Sequence, residues 1–177
     1  NWHKLEITEG GVYKIDYSFI QNDLGLDPGT VNPNTFGIFG ADGGMLPEEN
    51  ADPRVDDLFE FPLQISNSGN PNGFDPQDYV LFFAEGPHTW SYGSSRFTHK
   101  QNVYSDKTYV FISTDQGNGK GIQNRSSNSS AATQSISSYD DYYFHELENE
   151  NLISSGREWF GEKVSPFANT INLPVSI

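Results

Sequence analysis

Apolar and polar residues alternate one for one through much of the chain, the spacing that sends successive side chains to opposite faces of a β-strand. From Trp2 to Thr8 this run sets His3, Leu5 and Ile7 against Lys4 and Glu6. Glu9-Gly10-Gly11 follows, after which Tyr13, Ile15 and Tyr17 alternate with Lys14 and Asp16. Two such runs joined by a Gly-Gly turn predict a β-hairpin. Ser18 then stands where it can cap a short helix reaching Leu24 and stopped by Gly25. Thr35 to Phe39 predicts a brief strand that ends in the turn from Gly40 to Gly44.

Phe59, Phe61, Leu63 and Ile65 alternate with Glu60, Pro62, Gln64 and Ser66, which predicts a half-buried strand. Pro62 has no backbone donor, so that strand belongs at a sheet edge. The densest apolar run, Tyr79 to Phe83, lies within Phe74 to Trp90, with Asp-Pro before it and Gly-Pro after it. A short apolar run between turn formers predicts a strand buried on both faces, for which the rest of the chain must supply covering layers. Phe97 to Asn102 and Lys107 to Thr114 predict further strands, and Tyr109 to Ile112 again reads as apolar on both faces. Asp115 to Thr133 is rich in Gly, Asn and Ser and predicts a mobile loop. Pattern returns at Ile136 and in the Tyr139 to Glu146 block, followed by a polar Glu146 to Ser154 segment with one helical turn, then Trp159-Phe160. Ile171, Leu173 and Val175 alternate as a last strand, and no internal repeat is evident.

Seventeen Gly, ten Pro and sixteen Asn are spread along the chain and chop it into short segments with tight turns. The expected fold class is therefore all-β: a mainly antiparallel, jelly-roll-like β-sandwich with one or two short helices. Thirteen Phe, nine Tyr and three Trp supply a bulky core. At 177 residues the chain fits one domain, residues 1–158, with 159–177 as its last strand or as the start of a following β-domain. It opens on Asn1-Trp2 without a starting Met and closes on a strand-like stretch, and so reads as a piece of something longer.

Charge narrows the function classes. A formal charge of −14 with ten Lys and Arg argues against nucleic acid, whose phosphates are held by clustered basic side chains. The same balance argues against adhesion to an anionic membrane, and no run is long and apolar enough to insert directly. The absence of Cys removes a disulfide framework, a thiolate zinc site and a cysteine nucleophile from this chain.

Three stretches carry candidate chemistry. Ser68, Asn70 and Asn72 alternate before Gly73, like the first half of a calcium loop, with Asp75 and Asp78 close behind. Tyr79 stands where a bidentate Glu belongs, and the competing reading is a turn in which Asp75 and Asp78 bond local backbone. The loop from Pro47 to Asp57 holds Glu48, Glu49, Asp52, Asp56 and Asp57, which read as solvated carboxylates or as an acid–base pair. His3, His88, His99 and His145 lack the three- or four-residue spacing of a zinc helix, and no nucleophile-elbow motif occurs. His88 with Trp90 and Tyr92 marks the expected surface contact. Trp2, Trp90 and Trp159 serve either as sugar-stacking platforms or as core packing. No catalytic residue and no cofactor is expected, calcium at the Ser68 loop being the one metal considered.

Ordered blocks add a resemblance. Trp2-His3-Lys4-Leu5 with Gly11-Val12-Tyr13-Lys14-Ile15 resembles the opening of the non-catalytic N-terminal region of gingipain-like cysteine peptidases. Phe39-Gly40 with Gly43-Gly44-Met45-Leu46-Pro47-Glu48 follows in the same order, then Phe74-Asp75, Asp78 to His88, and Asn102-Val103-Tyr104-Ser105-Asp106. Tyr142 to Glu146 and Ser155 to Gly161 narrow the likeness to the sortases of the type IX secretion system in Bacteroidetes. The resemblance implies an exported parent at the outer membrane and cell surface that removes C-terminal sorting domains from cargo and aids attachment of cargo to lipopolysaccharide. It implies as partners the peptidase domain of the same parent chain and other secretion components or cargo. The family's catalytic Cys and His lie in a later domain, and nothing here matches them. The expected role is a non-catalytic accessory domain. The alternatives are a glycan-binding or adhesive β-sandwich of a secreted Bacteroidetes protein and, last, an independent hydrolase.

Overall fold

Every strand pairing among the described residues is antiparallel, apart from an isolated parallel bridge at Leu63–Gly121. The computed structural model describes residues 1–41, 43–47, 49–138, 144–154, 159–167 and 170–172. The chain divides into two units, Asn1–Arg125 and Ser126–Ile177.

In the first unit the elements run β1 (Trp2–Ile7), β2 (Gly11–Asp16), α1 (Tyr17–Asn22), a 3-10 turn (Pro28–Thr30), β3 (Gly37–Gly40), β4 (Phe59–Glu60), β5 (Gln64–Ser66), β6 (Tyr79–Ala84), β7 (Thr89–Gly93), β8 (Arg96–Lys100) and β9 (Thr108–Ser113). One sheet has the order β1-β9-β3-β4, a second β2-β6-β5, and β7-β8 form a separate ribbon. Ile7, Ile38, Val110 and Ile112 from the first sheet and Ile15, Val80, Phe82 and Ala84 from the second share one buried cluster. Two sheets closed over one core form the expected all-β fold, with α1 as its short helix.

The expected hairpin between the first two runs does not form. β1 pairs with β9, Leu5 opposite Val110, while β2 pairs with β6, Tyr13 opposite Phe82. Each run buries one face as its alternation demands, but the faces belong to different sheets. Neither Gly10 nor Gly11 takes the positive φ of a two-residue hairpin turn. Closeness matters instead, mildly at Gly10, whose Cβ would stand 3.3 Å from the Gly86 nitrogen, and strongly at Gly86 itself. A Cβ on Gly86 would stand 2.7 Å from the Gly10 nitrogen and 2.9 Å from the Glu9 carbonyl carbon.

The Phe59–Ile65 run is likewise two strands. β4 pairs with β3 in the first sheet and β5 with β6 in the second, and the chain changes sheet at Pro62. Both pieces are edge strands, as the proline suggested. Phe61 and Leu63, on either side of it, point into the shared core.

The strand expected to be buried on both faces is half-buried. Val80, Phe82 and Ala84 face the core, but Phe83 is 54% exposed, beside its exposed cross-strand neighbour Val12. Its outer face is shielded by stems of neighbours rather than by a layer: Lys14 lies opposite Leu81 and holds its ammonium 5.0 Å from the Tyr79 ring centre. β9 repeats the arrangement, with Val110 and Ile112 inside and Lys4 3.5 Å over the exposed Tyr109 ring.

Two further expectations shift. The cap of α1 is Asp16, one of whose carboxylate oxygens accepts from the Phe19 N–H at 3.0 Å and from the Ser18 hydroxyl at 2.6 Å. These bonds hold the Asp16 carboxyl below its ordinary range. Gly25, at φ +66°, carries the chain out beyond the helix. The stretch after Asp115 is tied down at its start: Gly117 N–H donates to Thr35 O at 2.9 Å, and Leu63 N–H to Lys120 O at 2.8 Å.

In the second unit Glu150 and Phe160 exchange backbone hydrogen bonds of 2.9 and 2.8 Å. His145 Nε2 meets the Glu162 carboxylate, which that hydrogen bond holds below the usual range. Glu146 to Ser154 is extended with a turn at Leu152–Ile153 rather than helical. The Tyr139–Tyr143 part of the aromatic block and Leu173 and Val175 of the last strand lie outside the described residues.

Candidate functional site

Residues 88–102 form an exposed aromatic feature of the first unit. β7 and β8 are joined by Ser94-Ser95, at φ 52° and 61°, two left-handed residues in the geometry that matches the twist of a two-stranded ribbon. Alternation then sorts the side chains. Trp90 lies opposite His99 and Tyr92 opposite Phe97, while Ser91–Thr98 and Thr89–Lys100 occupy the other face. Tyr92 and Phe97 rings lie 4.9 Å apart, and Trp90 and His99 rings 4.7 Å apart. Tyr92 is 67% exposed and Trp90 39%. Between Glu85 and Asp106 the chain has no carboxylate side chain, although it carries Arg96 and Lys100 there. In a chain of charge −14 the ribbon is therefore a locally cationic, aromatic projection.

His88 has a different part. Its Nδ1 accepts from the Asn102 N–H at 3.0 Å, which puts the ring proton on Nε2, 4.0 Å from Asp106. Asn102 is buried, donates through its side chain to Gly44 O at 3.4 Å, and accepts from the N–H groups of Tyr104 and Ser105 at 3.0 and 3.1 Å. His88 thus anchors the root of the ribbon, while Trp90 and Tyr92 belong to its face. The sequence reading of this site missed Phe97 and His99. Their signal was the mirror symmetry of Trp90-x-Tyr92 and Phe97-x-His99 about the Ser94-Ser95 turn.

The Ser68 loop uses its oxygens on itself. Asp78, 2% exposed, accepts from the Ser68 N–H through one carboxylate oxygen and from the Asp75 N–H through the other, each at 2.8 Å. The Ser68 hydroxyl donates to Asp75 at 2.6 Å, and Asn70 Oδ1 accepts from the Asn72 N–H at 3.1 Å. The loop is a hydrogen-bonded clamp that launches β6. In the acidic loop, Asp57 accepts from the Leu58 N–H at 2.7 Å and Arg54 donates to Glu49 O at 3.2 Å; Glu48 lies outside the described residues. Among the described residues no three His, Asp or Glu side chains gather as metal ligands.

No family model and no curated protein matches the chain. Among solved structures it is similar to dimeric latent PorU from Porphyromonas gingivalis, at 30% identity over 69% of this chain, with a TM-score of 0.46. The chain spans 10% of that protein.

Proposed function

We propose that this chain is a non-catalytic β-sandwich module of a type IX secretion sortase of the gingipain-like kind, holding contacts rather than performing chemistry. One observation carries the reading. Three of the blocks that carry the resemblance, Gly43 to Glu48, Asp78 to His88 and Asn102 to Asp106, distant along the chain, meet around the root of the ribbon. A Cβ on Gly43 would stand 2.4 Å from Glu85 Cβ, Gly44 N–H donates to Gly86 O at 2.9 Å, Gly86 abuts Gly10, and Asn102 bonds both His88 and Gly44. Residues that share a family pattern and also share one corner of the fold support a common scaffold whose product is the ribbon.

On this reading the parent is exported to the outer membrane and cell surface, and the ribbon meets its peptidase domain, cargo or another secretion component. With no Cys in the chain, the nucleophile of such a parent lies elsewhere. The test is deletion of residues 1–177 from the parent gene, followed by measurement of cargo that has lost its sorting domain and reached the surface. Loss of either step is the expected result, and normal levels of both would end the proposal. The exposed Tyr92–Phe97 pair also suits stacking on a sugar ring, so a glycan array probed with the isolated chain separates the adhesive alternative.

A further inference from the structure

The outer edge of β5 carries an unfinished ladder. Leu63, just before β5, donates its N–H to Lys120 O at 2.8 Å and accepts from the Ile122 N–H at 3.0 Å, so both of its peptide groups point away from the sheet. Peptide groups alternate sides along a strand paired antiparallel. Gln64 therefore turns its groups toward β6, and Ile65 turns its N–H and C=O outward again. Ile65 is paired with Val80 on the inner side only, at the edge of its sheet. The chain's own Lys120–Ile122 segment has supplied one step of an added strand and stops one step short.

Beside this edge lie two neighbouring cavities of about 420 and 360 Å³, both lined by Pro33, Asn34 and Ile65. Gln64 and Asn124 line the larger one. The side-chain amides of Asn34, Gln64 and Asn124 make no hydrogen bond among the described residues. No carboxylate lines either cavity, although the chain has 24 acidic residues, and Lys120 holds its ammonium on Glu60 O at 2.8 Å.

We propose that this edge is a docking site for an extended peptide segment that alternates apolar and polar residues and carries no basic side chain. The segment bonds to the N–H and C=O of Ile65 as a short added strand. Its apolar side chain enters the notch of Pro33, Ile65 and Ile122, and its polar neighbours meet the amides of Asn34 and Asn124. Two features favour a peptide over a saccharide. The preceding step of the ladder is already filled by polypeptide, and the only aromatic ring lining either cavity, Phe36, is fully buried and offers no stacking surface. Lack of a positive charge follows from the lining, since a basic side chain would find no carboxylate there.

The test uses the 177-residue chain with a synthetic hexapeptide alternating valine and threonine. Amide hydrogen exchange at Ile65 and the side-chain amide resonances of Asn34, Gln64 and Asn124 are followed as peptide is added. Exchange at Ile65 should slow about tenfold when free peptide exceeds its Kd tenfold. Asn34→Trp or Asn124→Trp, each filling the groove from an exposed position, should abolish the effect at unchanged Tm. Replacing threonine by lysine in the peptide should weaken it. The proposal is overturned if Ile65 exchange does not change up to millimolar peptide, if both groove-filling variants respond like the parent, or if maltohexaose moves the three amides and the hexapeptide does not.

Discussion

Glu9–Gly11 and Ser94–Ser95 both link alternating runs across a few residues, yet they do opposite work. The serine pair takes two left-handed residues and closes a ribbon on itself. That conformation costs a non-glycine residue roughly 1 kcal/mol, so geometry outranks local preference at this turn. The glycine corner has no residue of positive φ and sends its strands to two sheets, and Gly10 alone serves the close passage of the Glu85–Gly86 backbone. Gly-Gly and Ser-Ser are both turn signals. What separates them is whether partners elsewhere offer a better apolar surface. β1 and β2 find Val110 and Phe82, whereas β7 and β8 find each other.

Six variants press on that contrast. Phe82→Ala empties the centre of the core under the glycine corner and should cost roughly 3–5 kcal/mol in urea unfolding. Gly86→Ala drives a methyl into the Glu9–Gly10 backbone and should cost roughly 1–3 kcal/mol, whereas Gly11→Ala meets nothing within 4 Å and should be neutral or slightly stabilising. If Gly11→Ala were as harmful as Gly86→Ala, the corner would be a turn after all. Asp16→Ala should cost about 1 kcal/mol, with Asp16→Asn retaining most of the cap. Because the folded carboxyl lies below its ordinary value of 3.8, the charged cap contributes fully above that pH and is lost as pH falls through the folded value, so the Ala variant and parent should converge in acid. The smallest change is expected from Ser94→Asn with Ser95→Gly, which relieves the two left-handed serines. It should slow amide exchange within residues 89–100 while shifting global Tm by no more than a degree or two, corresponding to about 0.5 kcal/mol.

Strand existence was legible in the sequence because period-two alternation is local. Lys4 and Glu6 against Leu5 and Ile7, or Gln64 against Leu63 and Ile65, state which face goes in without naming a partner. Pairing was not legible. Alternation in Phe59–Ile65 is unbroken although the chain changes sheets at Pro62, because both sheets look into the same core and Phe61 and Leu63 satisfy it from either side. Apolar runs also overstated burial: Phe83 and Tyr109 are rings on an outer face, Phe83 beside exposed Val12 and Tyr109 under the ammonium of Lys4. At the candidate site, Trp90 and Tyr92 announced themselves by type, but the anchoring role of His88 depends on Asn102, fourteen residues away. The edge of β5 gave no compositional signal, since its offered groups are backbone.

The first strand of this chain finishes its hydrogen bonding with Thr108 to Ser113, and the second with Tyr79 to Ala84. Loop closure over such separations precedes any reward from packing, which places the sandwich among slow-folding topologies. During synthesis from the N-terminus, Leu5 and Ile7 stay without their sheet until Val110 has emerged. The nascent first sheet therefore stays incomplete until Thr108–Ser113 is made, and a truncation just before β9 would leave β1 without a partner and the core face of the β2-β6-β5 sheet uncovered.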